Sequence, residues 1–152
     1  MRVVLQRVSR AAVAVDGATT GRIGPGLVAL VGVGERSSIR DAEWLAAKTE
    51  GLRIFGGESD PDRMERSVRE IGGGVLAISQ FTLYADVRKG RRPSFARAAP
   101  PERGERLYEA YCDALSVPSA RGRFGARMVI DVVADGPVTI LLRSEGGELD
   151  LQ

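Results

Sequence analysis

Three short stretches of this 152-residue chain carry residue types able to do chemistry, and each also has an ordinary structural explanation. The first is Ser79-Gln80-Phe81-Thr82-Leu83, two hydroxyls and an amide at the end of an apolar run. Beside exposed backbone N–H groups, such side chains can hold and polarise an ester carbonyl. The alternative is a strand leaving the core, its polar groups satisfied by neighbouring backbone. The second is Gly136-Pro137. Proline cannot donate to a β ladder, so a strand start or a tight turn accounts for it unaided. The third is Arg88-Lys89-Gly90-Arg91-Arg92-Pro93-Ser94-Phe95, cations around a glycine with an aromatic ring following. Charge alone marks Arg88, Lys89, Arg91 and Arg92 as candidate phosphate contacts, with Phe95 available for stacking or packing. A solvated loop is the plainer explanation.

What is missing narrows the chemistry. The chain has no histidine and a single cysteine, Cys112. That excludes Ser-His-Asp and Cys-His hydrolases, His-based zinc sites and an intramolecular disulfide. An enzyme of this composition must rely on carboxylates, hydroxyls, backbone dipoles or the substrate itself, and neither a cofactor nor a metal is expected. Gly72-Gly73-Gly74 lacks the Lys-Ser/Thr ending of a phosphate-binding loop, and Pro61 spoils the acidic run Glu58, Asp60, Asp62 as a calcium loop. Cys112 has no basic neighbour at helical spacing to activate it. The net charge of +2 permits contact with RNA without demanding it. No apolar run approaches the ~18–20 residues that span a bilayer, and the alternating start MRVVLQRVSRAAVAVDG is a strand pattern, so a cytoplasmic protein with no membrane partner is expected.

The elements that must position these residues follow from periodicity. Val3 to Val8, Ala12 to Val15 and Thr19 to Ile23 alternate as antiparallel strands, and Leu27 to Val33 is apolar throughout, as a strand buried on both faces is. Ser38 and Asp41 have capping-box spacing ahead of a helix over Ile39 to Glu50. Leu52 to Phe55 is a short strand, followed by a polar loop. Val75 to Tyr84 continues as a strand that turns from apolar to polar, and Pro100-Pro101-Glu102 opens a second helix ending near Leu115. Met128 to Val133 and Val138 to Leu142 form two last strands around Ala134-Asp135-Gly136-Pro137. No linker divides the chain. The pattern is one α/β domain over residues 1–152, a mixed sheet covered by two helices.

Taken together, LQRVSRAAVAVDG, GRIGPGLVALVGV, GLRIF, GGGVLAISQFTLYAD, KGRRPSF, LYEAY, GRFGARM and DGPVTI resemble the D-aminoacyl-tRNA deacylases of bacteria and eukaryotes over nearly the whole chain. A sister family that edits L-alanine on threonine tRNA has Pro-Gln where this chain has Ser79-Gln80, so Ser79 favours the D-specific branch. The resemblance implies a mostly antiparallel sheet curving into a barrel-like layer. It implies hydrolysis of the ester joining a D-amino acid, or glycine, to the terminal adenosine of tRNA, by a homodimer whose site lies at the subunit interface. Ser79, Gln80, Phe81 and Thr82 are then catalytic, and Gly136, Pro137, Val138 and Thr139 form a cis Gly-Pro motif that enters the partner's pocket and excludes L side chains. Arg7 is expected to hold that motif, and Phe124 with the adjoining GRFGARM segment, residues 122–128, to line the adenosine pocket. Ala134 stands where the family usually has Asn, and Met64-Glu65-Arg66 where it has Met-Asn-Leu. Residues 143–152 extend past the usual family end and are expected to be a mobile tail. A non-catalytic module for the tRNA end, and a hydrolase of another small acyl ester, are the competing expectations.

Overall fold

The computed structural model describes residues 1–146 together with 148 and 149. Its spine is β1, Arg2–Val15, whose alternating apolar side chains send Val3, Leu5, Val13 and Val15 into buried positions. One edge of β1 pairs along its length with β8, Val129–Glu145; the other edge is shared. Its first half pairs with β3, Gly26–Gly32, and its second half with β2, Ala18–Ile23. β3 also pairs with β6, Gly74–Ser79, and β6 with β7, Ser119–Arg121, both in parallel. Gly26 and Gly74 let β3 and β6 start in register: a Cβ on Gly26 would fall 2.0 Å from the Gly74 carbonyl oxygen.

The sheet curls until β2 comes close to β7, where a Cβ on Gly21 would lie 3.0 Å from the Arg121 carbonyl. This makes the barrel-like layer nearly closed and explains two separate cores. Val8, Val13, Val28, Leu76 and Ile78 pack together in one. Leu5, Leu27, Val75 and Leu107 belong to the larger one, under the helices. A strand such as β3 supplies both, which is why LVALVGV is apolar on both faces.

The helices are α1, Ile39–Gly51, and α2, Pro101–Ala114. The capping box forms as expected, with Ser38 N donating to Asp41 Oδ2 at 2.7 Å and Asp41 N to Ser38 Oγ at 3.4 Å. The Tyr111 hydroxyl meets Thr49 Oγ1 at 2.9 Å between the helices, and Tyr108 donates to the Ala77 carbonyl at 2.9 Å, tying α2 to β6. Glu50 is only 2% exposed; its carboxylate accepts from Ser116 N, Val117 N, Ser116 Oγ and Arg69, locking α1 to the chain between α2 and β7.

Several expected boundaries are corrected. The two opening strands are one strand. β6 stops at Ser79 instead of running to Tyr84: Gln80 N makes the last ladder bond, to Val31 O at 2.7 Å, and β3 offers little strand beyond. The chain then folds into a 3-10 turn over Phe81–Tyr84. The two last strands are likewise one. Gln6 pairs with Thr139 but Val8 with Ala134, so residues 135–138 bulge opposite Arg7 without ending the strand. Two short elements were missed: β7, and β5, Met64–Ser67, which pairs with β4, Arg53–Gly56, in a separate two-stranded sheet. The tail is corrected in its first residues. Arg143, Ser144 and Glu145 continue β8, and buried Ser144 donates to Asp41 Oδ1, so the helix cap that fixes α1 also fixes this stretch. Past Gly146, β9, Glu148–Leu149, pairs back onto Ser144 and Glu145. The rest of the expected tail lies outside the described residues.

Candidate active site

β3 and β6 are neighbouring parallel strands, and a cavity of about 580 Å³ opens at their carboxyl ends, where open α/β sheets place ligands. Ser79, Gln80 and Phe81 supply one wall as β6 gives way to the 3-10 turn. Ala98 and Ala99 come from the chain entering α2, Gly104 from the first turns of α2, Phe124, Gly125, Ala126 and Met128 from the stretch between β7 and β8, and Ile130 from the start of β8. Rings shape this space. Phe81, 57% exposed, meets Phe95 edge-on with centroids 5.0 Å apart, while Phe124 leans on Tyr108 at 6.0 Å. The walls are otherwise mostly apolar.

The chemistry available is concentrated at the β6 end. A 3-10 turn donates first from its third residue, here Leu83 N to Gln80 O at 3.2 Å, so the N–H groups of Phe81 and Thr82 precede the turn's own bonding. Gln80 Nε2 donates to Thr82 Oγ1. An amide cannot take a proton from Thr82, so the hydroxyl is held in place without being activated. Nearby groups are quiet. Burial pushes the Cys112 thiol up to about 11, and burial likewise raises the hydroxyl of Tyr108, already bonded to Ala77.

Ser79, Gln80, Phe81 and Phe124 are thus brought to one cavity, with Thr82 one step beyond and bonded to Gln80. The remaining expected residues gather elsewhere. The Gly136-Pro137 bond is cis, and both residues are exposed on the β8 bulge. Arg7, its side chain 14% exposed, reaches under this bulge: Nε donates to Asp135 O at 3.0 Å, Nη1 to Ile54 O at 2.7 Å, and Asp135 Oδ2 lies 3.3 Å away. Thr139 is exposed, whereas the Val138 side chain is buried in the larger core and has only its backbone to offer a ligand. None of Arg7, Gly136, Pro137, Val138 and Thr139 lines the cavity of its own chain.

The cationic stretch forms a loop pinched by paired backbone bonds between Asp86 and Ser94, at 2.8 and 2.9 Å. Arg88 is engaged within it. Its Nε donates to both Asp86 oxygens, at 2.9 and 3.1 Å, and these bonds hold the Asp86 carboxyl well below the usual range. Lys89, Arg91 and Arg92 are exposed and form no ion pair among the described residues. Phe95 takes the packing role, against Phe81. Sequence reasoning missed the small wall residues Ala98, Ala99 and Gly104, whereas Ala126 and Met128 belong to the 122–128 stretch that it expects beside Phe124. No local signal marks those three; in the later stretch Phe124, Ala126, Met128 and Ile130 alternate with Arg123, Gly125, Arg127 and Val129, and the structure leaves the first set half-buried and the second exposed.

Relatives agree with this architecture. The family model described as D-Tyr-tRNA(Tyr) deacylase matches residues 4–143. A D-aminoacyl-tRNA deacylase of Deinococcus radiodurans is 54% identical, covering 93% of this chain and 99% of its own. One of Heliobacterium modesticaldum is 50% identical, covering 97% and 99%. Among solved structures, the c-Myc DNA Unwinding Element Binding Protein superposes with a TM-score of 0.89 at 36% identity, covering 95% of this chain and 99% of its own. A chain matched from end to end at this level, with its polar strand end opening on a cavity, belongs to the D-aminoacyl-tRNA deacylase family, hydrolases of the ester that links a D-amino acid to tRNA.

Proposed function

We propose that this chain removes D-amino acids, and glycine, from tRNA in the cytoplasm, and that it rejects L-aminoacyl esters by means of the Gly136-Pro137 backbone of a second copy. The observation carrying this proposal is the separation of two devices within one chain. The cavity has a polar end at Ser79 and Gln80, while the Gly136-Pro137 bulge stands exposed, braced by Arg7 and away from that cavity. A homodimer supplies the missing half of each site. The outer edge of β8 supports such pairing: before Ser144 it has no strand partner among the described residues, and it exposes Val129, Val132, Val133 and Leu141.

A backbone wall excludes a substituent by overlap whatever its chemistry, so many D side chains are accepted and L side chains larger than hydrogen are not. The ester is already an activated acyl group. The N–H groups of Phe81 and Thr82 stabilise the developing oxyanion, by about 3–4 kcal/mol per donor in comparable sites. Water attacks the carbonyl with help from the vicinal 2′-hydroxyl of the terminal adenosine, while Ser79, Gln80 and Thr82 position the ester and Phe124 packs the base. Thr82→Ala then retains turnover, and a terminal 2′-deoxyadenosine abolishes it; a trapped acyl-enzyme would instead establish Thr82 as nucleophile.

Deacylation of matched D- and L-tyrosyl-tRNA, with and without chelator, tests the whole. Turnover of the D ester, roughly a hundredfold or more above the L ester and unaffected by chelator, is expected. Equal rates remove the chirality claim. Salt-dependent binding without turnover identifies a tRNA-end module, and turnover that ignores the adenosine identifies a small-ester hydrolase.

A further inference from the structure

A cavity of about 580 Å³ has room for a group of drug size, such as a nucleoside with its amino acid, and not for an oligonucleotide. The strand that delivers a terminal nucleoside must therefore leave over the rim, and its first phosphodiester must be met there. The arginines of this chain divide on that point. Arg7, Arg53, Arg63, Arg66, Arg69, Arg88 and Arg121 each face a carboxylate. Arg97 and Arg123 are exposed, and neither forms an ion pair among the described residues.

Both stand beside residues that line the cavity, as Arg127 does between Ala126 and Met128, and their backbone bonds single them out. Arg97 adjoins Ala98 and sits two residues after Phe95; Arg123 adjoins Phe124; all three neighbours line the cavity. Both backbones are pinned. The Arg97 carbonyl accepts from Glu35 N at 3.1 Å and closes against the Phe95 turn, in which Ala98 N donates to Phe95 O at 3.0 Å. The Arg123 carbonyl accepts from Ala126 N at 3.2 Å, and Gly122 N anchors the same stretch to Ala77 O at 3.0 Å. An exposed guanidinium on a fixed base binds a phosphate with less ordering cost than one on a loose loop, and its fork matches two phosphate oxygens at once; Asp86 lies near enough to Arg97 for their charges to interact without forming an ion pair.

We propose that Arg97 and Arg123 hold the phosphodiester on the 5′ side of the terminal nucleoside, so that these two residues, and not the 88–92 loop alone, register the tRNA end in the cavity. This inference rests on the tRNA-end function proposed above and assigns the part of the substrate each wall receives. Both residues are positioning residues, since neither reaches the ester.

The test compares D-tyrosyl-tRNA with D-tyrosyl-adenosine, the same ester without a phosphate. Arg97→Gln and Arg123→Gln should each lower kcat/KM for the tRNA roughly tenfold and flatten its dependence on log salt by about 0.7, the contribution of one cation on a single strand. Turnover of D-tyrosyl-adenosine should not change, and Arg→Lys at either position should restore the salt slope. Arg40→Gln, which removes an equally exposed charge from α1, should leave the slope as it was. An unaltered slope in the two rim variants, an equal loss on both substrates, or a matching loss in Arg40→Gln overturns the assignment. If the wild-type protein hydrolyses neither ester, the proposed function fails, and the salt slope of affinity for uncharged tRNA still decides the rim.

Discussion

The end of β6 and the bulge of β8 are built by opposite means. Ser79 and Gln80 end a strand flanked on both sides by parallel neighbours and rooted in two cores, so the backbone that presents them is fixed by packing. Gly136 and Pro137 sit on a strand whose one long-range partner among the described residues is β1, in a stretch where that ladder is interrupted, and are held by the polar reach of Arg7. A packed site shares its stability with the whole domain, whereas a braced site can be damaged while the domain stands.

The largest effect expected is on the packed side. In Gly26→Ala the new Cβ falls 2.0 Å from Gly74 O, in the backbone of the strand that carries Ser79, and nothing there can yield. A loss of ~3 kcal/mol or more, visible as insoluble protein or a Tm lowered by about 6 °C or more, is expected. On the braced side, Gly136→Ala forces a side chain onto a residue at φ +135°, its Cβ 2.7 Å from Val138 N and 3.3 Å from Arg7 Nη2. D-tyrosyl-tRNA turnover should fall at least ~100-fold while strain of about 1–3 kcal/mol leaves the protein folded. Were the two variants to lose stability equally, the contrast between the regions would be wrong.

An intermediate effect tests how far the packed region extends. The Glu50 carboxyl feels burial, which raises its pKa, but the bonds from Val117, Arg69 and Ser116 outweigh it and hold the folded value below the ordinary 4.5. Its stabilisation is therefore present above that pH and lost as pH falls through the folded value. Glu50→Gln should cost about 2 kcal/mol at pH 7: the amide oxygen can keep the N–H groups of Ser116 and Val117, but the NH2 replacing the other oxygen opposes the Arg69 guanidinium, and its Tm should then depend less on pH below 4.5 than the wild type's. Parallel curves for the two proteins would show that Glu50 does not govern the acid limb.

Legibility in the sequence followed the same division. LVALVGV and the Ser38–Asp41 box announced β3 and α1 because burial on two faces and cap chemistry are local properties. The continuity of β8 was not local: Asp135-Gly136-Pro137 reads as a turn, and what keeps the strand going is Arg7, on another strand altogether. Met64–Ser67 has no apolar alternation and becomes a strand only because Arg53–Gly56 lies beside it. The motif Ser79-Gln80-Phe81-Thr82 was visible as chemistry, but its turn and the wall at the entry to α2 were not. Ala98, Ala99 and Gly104 are residue types that any core contains, and only the folded chain shows that they surround empty space.

The smallest effect asks whether packing or hydrogen bonding fixes the cavity wall. Tyr108 both donates to Ala77 O at 2.9 Å and supports the Phe124 ring from below. In Tyr108→Phe the ring contact survives, and Ala77 O keeps a donor, Gly122 N at 3.0 Å, so no buried carbonyl is left bare. The loss should be about 1 kcal/mol, or roughly 2–4 °C in Tm, with KM for D-tyrosyl-tRNA unchanged. A rise in KM without a larger fall in Tm would mean that the hydroxyl, and not the ring, sets the position of Phe124. The β6 site would then depend on a single polar contact in the way the β8 bulge depends on Arg7, and the difference between the two regions would narrow to one of degree.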